Sequence, residues 1–124
     1  MSAISESIKL WAFVSFESRW NLHITAGVIS DQLLAGIPFS EEVPGLREEV
    51  PAVTLTKEVF GLNFVLYGEC EGERCSFTLE AHPGKALYWK IHGAKTVDIG
   101  KWLAELVETV PEFKVTGCSP IELV

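Results

Sequence analysis

Residues 59–82 read VFGLNFVLYGECEGERCSFTLEAH, and this stretch decides the fold. Phe60, Leu62, Phe64 and Leu66 fall on one face of its first half. Cys75, Phe77, Leu79 and Ala81 fall on one face of its second half. A period of two marks a half-buried strand. Gly72-Glu73, between the halves, suits a two-residue hairpin turn with glycine at the first central position. The turn fixes the register, with Glu71 against Arg74, Cys70 against Cys75, Leu66 against Leu79 and Phe64 against Ala81. A slip by one residue would turn one strand's apolar set to the wrong face, so the agreement of the two sets supports this register.

The same pattern extends outward. Pro83-Gly84-Lys85 reads as a second turn, followed by a strand over 86–92 with Leu87, Trp89 and Ile91 inward. Upstream, residues 52–57 form a short strand, which completes a β-meander. The opposite face carries Asn63, Val65, Tyr67, Ser76, Thr78, Glu80, His82, Tyr88, Lys90 and His92. An open sheet leaves that face in water, and a curled one makes it a groove.

Before the meander, Ile8 to Phe16 reads as a central strand with apolar residues on both faces. Trp20, Leu22 and Ile24 alternate with polar residues as a second strand. Residues 27–37 read as a short helix begun by Ser30-Asp31 and ended by Gly36, although a strand and turn fit the same residues. Residues 38–51 hold three prolines and four glutamates and read as a loop. After the meander, Ile99, Trp102, Leu103, Leu106, Val107 and Val110 make one apolar stripe on a helix over 97–110. Thr96 or Asp98 caps its start, and Pro111 stops it. Residues 113–116 return as a last strand. The expectation is a single α+β domain over 1–124: an antiparallel β-meander sheet packed against a C-terminal amphipathic helix, with a further short helix in the N-terminal third. In that packing Trp102 is a core residue, whose truncation would cost about 3–5 kcal/mol.

The 124 residues include 17 acids and 10 bases, a formal charge of −7. Nucleic-acid affinity rests on lysine and arginine neutralising phosphates, so this balance argues against nucleic acid and against anionic lipid. From Glu41 to Glu73 eight acids face two bases, and from Lys85 to Lys101 four lysines face one acid. An acidic side suits a basic partner, though many acidic proteins use such charge only for solubility. No apolar run has the ~18 residues of a membrane helix. Three cysteines, an odd count, read as reduced thiols in the cytoplasm.

No motif carries a chemistry. His23, His82 and His92 lack metal-ligand spacing, so neither a metal nor a cofactor is expected. The cysteines form no C-x-x-C pair. Cys70 and Cys75 face each other across the hairpin, which allows a disulfide, but two small residues near a turn is the plainer reading. The leading expectation is a non-catalytic, inhibitor- or immunity-like protein binding a basic protein through Glu41, Glu42, Glu48, Glu49, Glu71 and Glu73. A first alternative is a small-molecule module for cationic or aromatic ligands, using Trp11, Trp20, Glu80 and Tyr88. A second is an enzyme built on His82, Glu80 and Tyr88. Pairing of sheet edges would give a homodimer.

Overall fold

The computed structural model describes residues 8–83 and 95–119. Its elements, in chain order, are β1 (Ile8–Ser18), α1 (Leu22–Leu33), β2 (Ala52–Thr54), β3 (Leu62–Glu71), β4 (Arg74–Pro83), β5 (Lys95–Asp98), α2 (Gly100–Glu108) and β6 (Lys114–Cys118). The fold is α+β. Five strands form an antiparallel sheet in the order β2-β3-β4-β1-β6, and β5 runs parallel to the first half of β1.

The β3–β4 hairpin has the register its sequence predicts. Glu71 pairs Arg74, Cys70 pairs Cys75, Leu66 pairs Leu79 and Phe64 pairs Ala81. Gly72 opens the turn at φ 65°, a conformation that costs a residue without Cβ little. β1 is central, with β4 on one side and β5 and β6 sharing the other. The inner face of the sheet carries Val14, Phe16, Phe64, Leu66, Phe77 and Leu79, each at most 3% exposed. Phe113 stacks 4.8 Å from Phe16, and Trp20 meets Phe113 edge-on at 6.1 Å. Burial of one such large side chain contributes roughly 1.5–3 kcal/mol, so this cluster dominates the packing.

Several expectations are corrected. Trp20–Thr25 is not a strand. Asn21 caps α1 by accepting from the Ile24 N–H at 2.9 Å. Leu22, Thr25, Ala26 and Ile29 then follow at helical spacing and are buried. Of the three alternating apolar residues only Leu22 lies on that face, and Ile24 is 50% exposed. The helix expected to begin at Ser30-Asp31 is thus the last part of a longer one. Phe60 does not point inward. It sits in a turn at φ 50° and is 95% exposed, because the Val59↔Leu62 bridge closes a turn there instead of continuing the strand. β2 is shorter than residues 52–57.

At the C-terminal end, β5 takes residues 95–98, so the first two positions of the helix expected over 97–110 belong to a strand. Asp98 still serves its first turn, accepting from the Gly100 N–H at 2.7 Å. Leu103, Ala104 and Val107 of α2 are buried and belong to the same core cluster as the sheet's inner face. Trp102 is 52% exposed, so it is not the core residue expected. It lies about 100° around the helix from Leu103, at the flank of the buried stripe. The last strand is β6, two residues longer than expected at its C-terminal end. The strand expected over 86–92 lies outside the described residues.

Cys70 and Cys75 are joined as a disulfide across the hairpin, and Cys118 is free. The expectation of three reduced thiols fails here because direct cross-strand pairing brings the two Cα atoms within 3.9 Å. Such a bond is usual in non-reducing surroundings. No helix among the described residues is long and apolar enough to cross a membrane.

Candidate binding groove on the outer sheet face

The outer face of the sheet is where polar residues collect, because every second residue of β1, β3 and β4 points away from the core. Ser15 of β1, Tyr67 of β3 and Thr78 of β4 lie side by side in the ladder. The Ser15 and Thr78 hydroxyls are 3.3 Å apart. The Tyr67 phenol is within the electrostatic reach of both Thr78 and Glu80. Ser15, Tyr67 and Thr78 line a half-open groove of about 670 Å³ that also takes in Glu69, Glu71, Ser76 and Thr116. Its floor is tight at Gly68, at φ 147°. A Cβ there would lie 2.1 Å from the Ser76 carbonyl oxygen, so only glycine fits.

The 38–51 loop is bonded to β2 and reaches this groove at Val50. The Ser40 N–H donates to the Thr54 carbonyl at 2.7 Å, and the Val43 N–H to the Ala52 carbonyl at 2.9 Å. Both bonds run along β2. Arg47 then crosses to β4. Its Nη2 lies 2.5 Å from Glu80 Oε1 and its Nε 3.4 Å from Oε2. Its guanidinium also stands 5.4 Å from the centre of the Tyr67 ring.

The electrostatics follow from this geometry. Burial pushes the Glu80 carboxyl up, but the hydrogen bonds from Arg47 and Tyr67 and the Arg47 charge outweigh it, and the net direction is down. Burial, followed by the adjacent Glu80 carboxylate, pushes the Tyr67 phenol up. Hydrogen bonding to Glu80 holds Arg47 above its ordinary value against burial. At neutral pH Glu80 is therefore an ionised anchor for the loop, committed to Arg47, rather than a proton carrier poised near neutrality.

The groove shares lining residues with two acidic hollows. Val50 belongs both to the groove and to a hollow lined by Glu42, Glu48 and Glu49. Glu71 and Arg74 belong both to the groove and to a hollow lined by Glu17, Glu73 and Glu112 together with Arg19 and Lys114. Arg74 is engaged by Glu17 at 3.2 Å. Eight carboxylates and three cations line the groove and these two hollows taken together, which form an acidic track along the surface.

Most of the glutamates singled out in the sequence thus come together. Glu42, Glu48, Glu49, Glu71 and Glu73 lie along the track, while Glu41 is exposed beside it without lining it. Trp11 and Trp20 do not meet. Trp11 is half-buried on the outer face of β1, 6.0 Å from Phe13. Trp20 packs on Phe113 at the core. Glu80 is bound to Arg47 of the loop and does not line the groove, and Tyr88 lies outside the described residues, as does His92. His82 is half-buried, pairing Asn63 in the ladder.

Sequence reasoning missed Arg47 and Ser15, and gave Tyr67 no role beyond its place on the outer face. Tyr67 and Thr78 were legible as outer-face neighbours from the hairpin register, but Arg47 carried no signal beyond its place in a glutamate-rich loop. Among the described residues no group of three or more His, Cys, Asp or Glu side chains could hold a metal ion. Comparison of the chain with protein-family models, curated proteins and solved structures finds no match.

Proposed function

We propose that this chain is a non-catalytic binding protein that takes a basic segment of a partner protein along the outer face of its sheet. The observation that carries the reading is the acidic track. Carboxylates from four sequence regions flank one hydroxyl-lined groove, and few cations oppose them. A potential of one sign along a groove draws an oppositely charged segment and sets its on-rate. The hydroxyls of Ser15, Tyr67, Ser76 and Thr78 offer hydrogen bonds to a partner's main chain or guanidinium groups. An inhibitor or immunity role fits such a surface. The reading keeps the cytoplasm as the protein's compartment, and it keeps the C-terminal helix as the cover of the sheet's inner face.

The test is anisotropy of a fluorescein-labelled nona-arginine peptide against the wild-type protein and the Glu69→Gln/Glu71→Gln variant. The reading predicts binding that weakens steeply with salt and weakens about tenfold in the variant. Equal affinity for both proteins would overturn it.

A further inference from the structure

We infer that the Cys70–Cys75 disulfide is a redox control on this groove, holding its acidic end in the binding shape when oxidised and loosening it when reduced. The inference rests on the function proposed above. Three features of the hairpin carry it.

The first is position. Cys70 lies between Glu69 and Glu71 on β3, and Cys75 lies between Arg74 and Ser76 on β4. Those four neighbours all line the groove. The crosslink therefore fixes the spacing of the strands that carry the groove's own carboxylates.

The second is backbone latitude. The segment from Gly68 to Gly72 begins and ends on glycines at positive φ, 147° and 65°. Glycine gives the chain more accessible conformations than any other residue. With the bond cut, Glu69, Cys70 and Glu71 are exposed and held mainly by the ladder to β4.

The third is access. Cys70 is exposed, whereas Cys75 is 3% exposed and belongs to the core cluster. A thiolate reductant can attack the Cys70 sulfur, forming a mixed disulfide there while the S–S bond breaks. Cys75 leaves with the electron pair and takes a proton. A second reductant thiol attacks the mixed disulfide, releases Cys70 as a thiol and leaves the reductant oxidised. The balance is two reductant thiols and one protein disulfide giving one reductant disulfide and two protein thiols. Cytoplasmic disulfides in most organisms are transient, redox-sensing or catalytic, which suits a bond that opens and closes on a binding surface.

The test compares oxidised wild type, wild type reduced with dithiothreitol, and Cys70→Ser, which leaves Cys75 in the core. Nona-arginine affinity is read by anisotropy, and amide hydrogen exchange is read at Glu69, Glu71 and Ser76. The inference expects the peptide to bind about three- to tenfold more weakly to the reduced and Cys70→Ser forms. It also expects dithiothreitol to leave Cys70→Ser unchanged. Exchange at the three amides should rise about tenfold on reduction. Peptide binding of equal strength in all three forms overturns the redox control and leaves the binding function standing. If no form binds the peptide, the binding function fails, and exchange alone decides the redox control. Faster exchange in the reduced form supports it, and unchanged exchange overturns it.

Discussion

Arg47 and Glu80 are 33 residues apart in sequence, yet the Arg47 guanidinium grips the Glu80 carboxylate through both oxygens. This pair ties the 38–51 loop, whose Val50 lines the groove, to β4. Both side chains are about a quarter to a third exposed, which moderates what the pair contributes. Arg47→Ala leaves a half-buried carboxylate and the Tyr67 ring without their partner. It is expected to lower stability by about 1–2 kcal/mol, read as a shift in the urea midpoint at constant slope. A change below about 0.3 kcal/mol would mean that the loop is held by its backbone bonds alone.

The pH dependence follows from the same pair. Glu80 is held below its ordinary value of 4.5, so the unfolded chain takes up this proton before the folded protein does. Its contribution to stability is present above about pH 4.5 and is lost as pH falls through the lower folded value. Tyr67 runs the other way. Its folded value lies above 10.0, so its contribution is present below that pH and fades only in stronger alkali. Stability measured from pH 6 down to about pH 3 should therefore fall less in Glu80→Gln than in wild type. Parallel curves would remove Glu80 as a source of acid sensitivity.

The two neighbours Leu103 and Trp102 give a sharp contrast on α2. Leu103 is 2% exposed and Trp102 is 52% exposed. Leu103→Ala is expected to cost about 2–5 kcal/mol. Trp102→Ala, despite removing the larger side chain, should cost under about 1 kcal/mol. Thermal melts of the two variants decide this, and the reverse order would contradict the packing of the helix.

How much of this was legible in the sequence depends on how local each signal was. The hairpin register was readable because a period of two on both sides of Gly72-Glu73 permits one alignment. β1 was readable as central because Trp11 and Phe13 break its polar face. α1 was misread because Trp20, Leu22 and Ile24 alternate over too few residues to separate a strand from a helix start, and Asn21 as its cap was overlooked. Trp102 was misplaced because hydrophobicity alone does not locate the centre of a helical stripe. The acidic balance of residues 41–73 was plain in the sequence. Its convergence on one groove was not, because the loop, the hairpin and β1 meet only in the folded sheet. The disulfide had a correct geometric premise in the Cys70–Cys75 register, but spacing alone does not say whether two facing thiols are joined.

Reduction of that disulfide should also cost stability. Closing so short a segment of chain removes modest unfolded-state entropy, worth about 2 kcal/mol. For a chain of this length the melting temperature should fall by roughly 6–10 °C. Scanning calorimetry with and without dithiothreitol reads the difference, and an unchanged midpoint would mean that the bond does not constrain the unfolded chain.

The charge around the bond sets which reductants reach it. Glu69, Glu71 and Glu73 are all exposed beside Cys70, so an anionic thiol such as glutathione is repelled. Its reduction rate should rise with added salt, while that of uncharged dithiothreitol should not. Mass spectrometry of samples quenched and alkylated with iodoacetamide counts the reduced protein at each time and reports both rates, and matching salt responses would remove the acidic hairpin as a filter.

The central claim is that the outer sheet face is the binding surface, and the most direct test is to see where a basic probe lands. Amide spectra of uniformly labelled protein would be recorded during titration with nona-arginine in low salt. The account predicts the largest shifts at Ser15, Tyr67, Glu69, Glu71, Ser76 and Thr78, lost in parallel as salt is raised. Shifts confined to the α1 and α2 surfaces, or spread evenly over all exposed carboxylates, would contradict it.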